Sequence, residues 1–170
     1  TDAEKLNILA KEKNVNLMVG HLLLFHPAFN KIKQMLDNGL LGELQYIYSH
    51  RLNLGTIRTQ ENVFWSFAPH DISIFQHLIN DFPVEIVSRG GAFLRSNVHD
   101  TTMTILRYPN NIVGHVFVSW LHPFKEHRFV IIGSDGMIHF EDSVDNKPLL
   151  YYDNKADFKN NLPIPRSGVT

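Results

Sequence analysis

Residues 51–78 read RLNLGTIRTQENVFWSFAPHDISIFQHL. The stretch begins as an alternating strand, breaks at Leu54-Gly55, crosses a polar loop and resumes as an aromatic, helical run. It holds the densest group of hydrogen-bonding and titratable side chains in the chain: Arg51, Asn53, Arg58, Trp65, Ser66, His70 and Asp71. We therefore expect a functional site here, with the rest of the chain supporting it.

The strand that leads into this stretch alternates from Glu43 to Leu54, which predicts an antiparallel, half-exposed sheet. Tyr46 and Tyr48 belong to one side, which we expect to face the core. Arg51 and Asn53 belong to the other side, which we expect to be partly solvated.

The chain before residue 43 predicts the end of another domain. Thr1 and Glu4 form a capping box for a helix to about Lys13. Residues 15–25 are almost continuously apolar, which is typical of a strand covered on both faces. A helix followed by such a strand is the last αβ unit of a doubly wound domain. We expect residues 1–25 to be the remnant of a dinucleotide-binding Rossmann domain, 26–170 to be a second domain, and the chain to be a piece of a longer protein.

The chain from Pro27 onward predicts an α+β fold. Pro27 opens one helix, and Pro69 fits the first turn of another. Short strands follow, with tight turns at 109–111 and 134–136. We expect a mostly antiparallel open sheet, arranged as a meander, with helices on one face. From Asn160 onward, through Ser167 and Gly168, the pattern predicts an extended loop.

Both sides of the strand at 112–121 are apolar, and the predicted helices are too few to cover both faces of a sheet. We expect the uncovered face to pack on a second subunit, giving a homo-oligomer. Coverage by another part of the same protein is the alternative.

Composition excludes several classes of function. The net charge of −1 and the lack of a basic stripe argue against nucleic-acid binding. No apolar run is long enough to span a membrane, and the absence of cysteine excludes thiolate chemistry. The adjacent pairs His70-Asp71 and His99-Asp100 suggest a metal phosphohydrolase only weakly, so we expect no metal site. The default location is cytoplasmic.

Five segments, in this order, resemble the Gfo/Idh/MocA family of NAD(P)-dependent oxidoreductases. They are VGHLLLFHPA (19–28), GLLGEL (39–44), WSFAPHDI (65–72), SWLHP (119–123) and IGSDGM (132–137). Within the family, RLNLG followed by WSFAPHD is most similar to the branch that acts on nucleotide-linked amino sugars. The resemblance implies NAD or NADP as cofactor, bound by an upstream Rossmann domain that also supplies a catalytic Lys. The sequence contains no G-x-G-x-x-G, so we expect this chain alone to be inactive.

The resemblance implies that His70 exchanges a proton with the substrate hydroxyl, since imidazole titrates near neutral pH. In the family an Asp commonly lies four residues before this His, and here that position is Ser66. A hydroxyl can relay a proton but adds no negative charge. Asp71 is a poor substitute, because adjacent helical residues do not share a face.

Substrate contacts are expected from Arg51, Asn53, Arg58, Trp65 and His26. Guanidinium and amide groups suit sugar hydroxyls, an N-acetyl group or a diphosphate. Each of these residues also has a structural alternative. Arg51 and Asn53 could lie on a solvated sheet face, and Arg58 could simply be exposed. His26 could cap the helix that begins at Pro27, and Trp65 could belong to the core.

The function expected is the substrate domain of a sugar dehydrogenase that oxidises a secondary hydroxyl, such as C3 of a UDP-N-acetylglucosamine-like sugar. The alternative is a non-catalytic sugar-binding or dimerisation module of the same fold, which the serine at position 66 favours slightly.

Overall fold

The structure, a computed structural model, describes residues 1–166. These residues form three α-helices, two 3-10 turns and nine strands. The helices are α1 (Asp2–Glu12), α2 (Pro27–Asp37) and α3 (Val63–Ile79), and the 3-10 turns are Leu22–Phe25 and Pro109–Asn111. The strands are β1 (Leu44–Leu52), β2 (Glu85–Gly91), β3 (Thr101–Arg107), β4 (Val113–Ser119), β5 (Glu126–Gly133), β6 (Met137–Glu141), β7 (Leu149–Tyr152), β8 (Lys155–Lys159) and β9 (Leu162–Arg166).

Seven strands form one sheet in the order β2-β3-β4-β1-β5-β6-β7. All neighbours are antiparallel except β1 and β4, which are parallel. The predicted α+β fold with a mostly antiparallel sheet is therefore confirmed, but it is not a simple meander, because β1 inserts between β4 and β5. Since β1 and β4 are parallel, Leu52 and Ser119 end them at the same edge of the sheet. Glu126, opposite Leu52, begins β5 at that edge.

Helices α2 and α3 pack on one face of this sheet and enclose the core. Phe29 of α2 meets Phe129 and Phe140 edge-on, with ring centroids 4.8 and 5.3 Å apart. Burial of such rings supplies much of the hydrophobic stabilisation of a core. The remaining large, fully buried side chains are Ile32, Leu41, Ile47, Ile74, Phe75, Leu106, Trp120, Ile131 and Ile138.

Helix α3 begins at Val63, so the predicted start at Pro69 is wrong. The side chain of Asn62 accepts a hydrogen bond from the Trp65 N–H (3.1 Å), which caps the helix earlier. Pro69 lies inside the helix. The packing of buried residues on both sides of Pro69 outweighs its missing N–H. Ser66 and His70 consequently lie on the same helix, one turn apart.

The strand predicted at 15–25 does not form. These residues are irregular up to the 3-10 turn at Leu22–Phe25. A strand needs a neighbour for its backbone N–H and C=O groups, and no described strand pairs with this segment. Most of its apolar side chains are therefore exposed, Met18 by 77% and Val19 by 72%, while Leu23 and Leu24 are partly buried against the core. Only the helix of the predicted αβ unit is present, as α1 with its Thr1–Glu4 capping box.

The two faces of β1 are the reverse of the prediction. Ser49 and Arg51 point into the core and are buried, whereas Tyr46 and Tyr48 are half-buried on the opposite face. There the two tyrosine rings stack near His115, at centroid distances of 5.9 and 6.3 Å. Rings that shield one another can occupy an uncovered face, and a charged side chain can be buried when an opposite charge meets it.

Strands β8 and β9 form a separate hairpin, so the extended loop predicted from Asn160 is wrong up to Arg166. Asn160 and Asn161 make its turn with φ values of 53° and 62°. Asparagine tolerates this left-handed conformation better than most residues. Ser167 and Gly168, part of the same predicted loop, lie outside the described residues. The predicted turns at 109–111 and 134–136 do join antiparallel neighbours.

Candidate functional site

The candidate site lies at the edge where β1 and β4 end and β5 begins. The Leu54 N–H donates to the His122 carbonyl oxygen (2.6 Å), and the Val63 N–H donates to the His99 carbonyl oxygen (3.0 Å). These bonds join the loop after β1 to the loop after β4 and join the start of α3 to the loop before β3. Polar side chains from several elements can therefore meet at this edge.

A buried ion pair between Arg51 of β1 and Asp71 of α3 is the centre of the site. Nε and Nη2 of Arg51 lie 3.1 and 2.6 Å from Oδ1 of Asp71. The Ser49 hydroxyl donates to Oδ2 (3.2 Å). Arg51 is 7% exposed and Asp71 is fully buried. Charges at such depth are retained only when they are paired and hydrogen-bonded.

His127 of β5 contacts the same guanidinium. Its Nδ1 lies 3.4 Å from Nη1 of Arg51, so Nδ1 is the acceptor and the ring proton lies on Nε2. Burial, followed by the positive charges of Arg51 and Lys125, lowers the pKa of His127 to about 4. His127 is therefore a neutral imidazole at physiological pH.

His70 lies on α3, next to Asp71 in sequence. Its side chain is half-buried, and its Nδ1 has no hydrogen-bond partner among the described residues. Burial and then the charge of Arg51 lower the pKa of His70; Asp71 opposes this, and His21 adds to it. This Nδ1 is itself buried, so the imidazole can accept a proton from a bound substrate only at its other ring nitrogen, Nε2. Ser66, one turn earlier, is also half-buried.

His26 caps α2. Its Nδ1 accepts from the Ala28 N–H (3.2 Å), and its ring packs on Phe29 and Phe140. Its Nε2 lies 4.0 Å from Oδ1 of Asp142. The capping alternative therefore describes the position of His26, while its expected contact with substrate stays a prediction.

The other expected substrate residues lie near the same edge but are not drawn together. Asn53 is half-buried just after β1, where its N–H donates to the Ser119 carbonyl oxygen (3.0 Å). Arg58 is exposed and pairs with Glu61 at 3.1 Å. Trp65 is 67% exposed on the first turn of α3, so the core position considered for it is wrong.

Two histidines of the site, His127 and His21, were missed from the sequence. His127 lies directly opposite Arg51 in the β1–β5 register, which the sequence alone does not reveal. His21 acts on His70 only because the segment before α2 packs against α3. The role of Asp71 was also missed, because Arg51 was expected to face solvent.

Residues 1–166 contain no group of three or more His, Asp or Glu side chains that could hold a metal ion. No helix within the same residues is long and apolar enough to cross a membrane.

The sequence of this chain matches the model of one protein family. The model of the GFO/IDH/MocA C-terminal domain matches residues 29–139, more than half of the chain. The chain belongs to the GFO/IDH/MocA family. The matched region includes the Arg51–Asp71 pair, His70 and His127.

Three curated proteins are each 22% identical to the chain. They are an uncharacterised oxidoreductase from Streptococcus pneumoniae (82% of this chain, 42% of the relative), the 2,7-anhydro-N-acetylneuraminate hydratase of Escherichia coli (77% and 39%) and the myo-inositol 2-dehydrogenase of Thermotoga maritima (92% and 50%). The chain thus spans half or less of the length of these curated relatives.

Two solved structures share the fold. The UDP-N-acetylglucosamine 3-dehydrogenase of Acidithiobacillus ferrooxidans superposes with a TM-score of 0.74 at 21% identity, over 98% of this chain and 51% of that one. The WlbA dehydrogenase of Bordetella pertussis, solved with NADH and UDP-GlcNAcA, also gives 0.74, at 16% identity over 88% of this chain and 50% of that one. At these identities the likeness shows the fold.

Proposed function

We propose that this chain is the substrate half of an NAD(P)-dependent sugar dehydrogenase, in which His70 exchanges the proton of the substrate hydroxyl. The observation that carries the proposal is the half-buried His70 imidazole beside a fixed ion pair, in a chain of this family. Membership of the family supports the redox class. The geometry supports the proton-handling role.

In the proposed reaction a secondary alcohol of the sugar becomes a ketone. In this reaction the hydroxyl proton passes to the neutral imidazole of His70. Burial and Arg51 keep His70 unprotonated for this step, because they lower its pKa. NAD(P) supplies the hydride acceptor when it is bound.

The residues present fit such a cofactor only in part. The half-buried imidazole of His70 suits an alcohol awaiting hydride transfer. The sequence has no glycine-rich phosphate loop, so the pyrophosphate would be held elsewhere in the gene product. We propose that residues 1–25 belong with that cofactor domain, that residues 26–170 form the substrate domain, and that this chain alone is inactive.

We infer that the substrate is a nucleotide-linked amino sugar with the C3 hydroxyl oxidised. Support comes from two structural neighbours, whose names include UDP-N-acetylglucosamine and UDP-GlcNAcA. Asn53, Arg58, Trp65 and His26 are the proposed contacts. Arg58 and Trp65 are exposed beside the edge that carries His70 and offer a cation and a flat apolar ring. A soluble cytoplasmic enzyme suits a nucleotide sugar and a diffusible cofactor.

A homo-oligomer through the uncovered sheet face is part of the proposal. Within residues 1–166 no helix covers that face, whose side chains include Tyr46, Tyr48, Met103, Ile105, His115, Phe117, Val130 and Leu150. Seven strands of this length present roughly 700 Å² on standard strand spacing, close to the roughly 800 Å² per partner of a stable interface. A second copy is the occupant that we propose.

A non-catalytic sugar-binding or dimerisation module is the second candidate. The serine at position 66 favours it, because a hydroxyl there cannot provide the negative charge of a carboxylate. An assay of the gene product that contains this chain separates the two. We expect reduction of NAD or NADP with a UDP-amino sugar. A folded gene product that binds UDP-amino sugars but reduces neither cofactor with any sugar nucleotide would establish the second candidate.

A further inference from the structure

We propose that Arg51 and Asp71 are positioning residues, which fix the side chain of His70 and its charge environment from inside the core without contacting the substrate. The inference rests on the proposed function for its kinetic consequences. It replaces the expectation that Arg51 binds the substrate directly.

The hydrogen-bonding capacity of the pair is used within the protein. Arg51 directs Nε and Nη2 to Asp71 and Nη1 to His127, so its donors serve two neighbouring elements. The second oxygen of Asp71 accepts from Ser49. Arg51 is 7% exposed and Asp71 is fully buried, so a substrate at the surface does not reach either charge.

Stability alone does not explain a charged pair at this position. A buried ion pair is on average no more stabilising than well-packed apolar residues of the same volume, because both ions lose their hydration. Two buried apolar residues are close to it: Val118 lies opposite Arg51 in the β1–β4 register, and Phe129 lies opposite Ser49 in the β1–β5 register. The pair does, however, join β1 and β5 rigidly to the turn of α3 that bears His70.

The charges that face His70 come from each element packed around it. Arg51 approaches from β1, Asp71 lies beside it on α3, and His21 belongs to the segment before α2. Arg51 favours the neutral imidazole and Asp71 favours the imidazolium. The effect of Arg51 is the larger of the two, so with burial it keeps the pKa of His70 below its usual value. Removal of Arg51 alone therefore raises the pKa of His70, and removal of Asp71 alone lowers it.

This opposition gives a test in the chain itself, by NMR titration of the His70 ring. We expect Arg51→Met to raise the pKa of His70, because Asp71 is then unopposed. We expect Asp71→Asn to lower it, because Arg51 is then unopposed, while the amide oxygen keeps the bonds from Arg51 and the amide NH2 donates to the Ser49 hydroxyl. Arg107→Met is the matched control, since Arg107 forms an exposed pair with Glu85 at 2.8 Å. Shifts of the same sign in both variants, or equal shifts in the control, would overturn the proposal.

Should Arg51→Met fail to fold, the conservative Asp71→Asn decides by the direction of its shift. A readout of catalysis then distinguishes positioning from substrate contact. In the gene product that contains this chain, Arg51→Lys keeps the charge but can no longer donate hydrogen bonds to Asp71 from two nitrogen atoms. We expect kcat to fall about ten- to a hundredfold from the misplaced His70, with KM within about twofold.

A raised KM with an unchanged kcat would show that Arg51 binds the substrate and would overturn the proposal. If the parent gene product oxidises no sugar, the proposed function fails by itself. The NMR titrations then still decide whether the pair controls His70, because they need no substrate or cofactor.

Discussion

His70 and Asp71 are neighbours in sequence, yet their side chains occupy opposite environments. The Asp71 carboxylate is fully buried and held by Arg51 and Ser49, whereas the His70 ring is half-buried with an unpartnered Nδ1. Adjacent residues on a helix point about 100° apart, so one can anchor the helix to the sheet while the other faces a site. This division of roles underlies the proposed mechanism.

Replacing His70 by Gln should remove most of the activity of the gene product. Glutamine keeps the size of the side chain but cannot take a proton, so kcat should fall about 10²- to 10⁴-fold. The control is His77→Gln, an exposed position on the same helix, which should retain the parent kcat. Both variants should keep the parent melting temperature. A His70→Gln enzyme with normal kcat would remove His70 from the mechanism.

The stability of the chain should depend on pH through His127. Its pKa is about 4 in the folded chain against an ordinary value of 6.5, so folding favours the neutral ring. The contribution is complete above pH 6.5 and is lost as pH falls towards 4. The loss should be about 1–3 kcal/mol after allowance for solvent screening.

Urea unfolding between neutral and acid pH measures this effect. His127→Gln can still accept from Arg51 but does not titrate, so its stability should decline less steeply than that of the parent. His70 and His139, whose pKa values are also lowered, leave a residual slope. Parallel curves for parent and variant would contradict the assignment to His127.

The close contact between Gly133, the last residue of β5, and the backbone of Leu41 should tolerate no added methyl group. A Cβ at Gly133 would lie 2.1 Å from the Leu41 carbonyl oxygen, a contact with backbone that cannot move freely. Gly133→Ala should therefore lower the free energy of unfolding by about 1–3 kcal/mol. Gly20→Ala is the control, because nothing lies within 4 Å of its Cβ position. Equal stabilities of the two variants would show that this turn is looser than described.

The proposed oligomer can be tested with two variants of similarly exposed isoleucines. Ile105 lies on the uncovered sheet face, and Ile86, on the neighbouring strand, lies on the helix side at the margin of the sheet. We expect Ile105→Lys to give a monomer, since a lysine charge would be buried in the interface, and Ile86→Lys to remain oligomeric. Light scattering of both variants measures their oligomeric state. A parent that is monomeric at high concentration would refute the interface.

The sequence predicted the fold where the pattern is local. The strands between residues 84 and 152 and the helix after Pro27 follow from alternation and capping, and they occur as predicted. The start of α3 was missed because Pro69 is a strong local signal for a helix start, whereas burial of Val63 and Ala68 is a tertiary effect. The strand predicted at 15–25 does not form for a related reason: its pattern is that of a strand, but the partner strands it requires are not among the described residues.

The site was predicted less completely. His70 and Ser66 were singled out through the family resemblance, and the structure brings them one turn apart on α3. The partnership of Arg51 with Asp71 joins residues far apart in sequence, and it reverses the expected face of β1. No local pattern distinguishes an arginine on a solvated face from one buried against an aspartate, because both occupy alternate positions of a strand.

The most direct test of the proposed function follows a deuterium atom. The gene product that contains this chain is incubated with NAD or NADP and UDP-N-acetylglucosamine deuterated at C3, and the reduced nicotinamide is analysed by mass spectrometry. We expect deuterium to move from C3 to the nicotinamide in the parent enzyme, and we expect His70→Gln to slow this transfer greatly. Reduced cofactor without deuterium would show that another position is oxidised. No reduced cofactor with any UDP-amino sugar would contradict the proposed function.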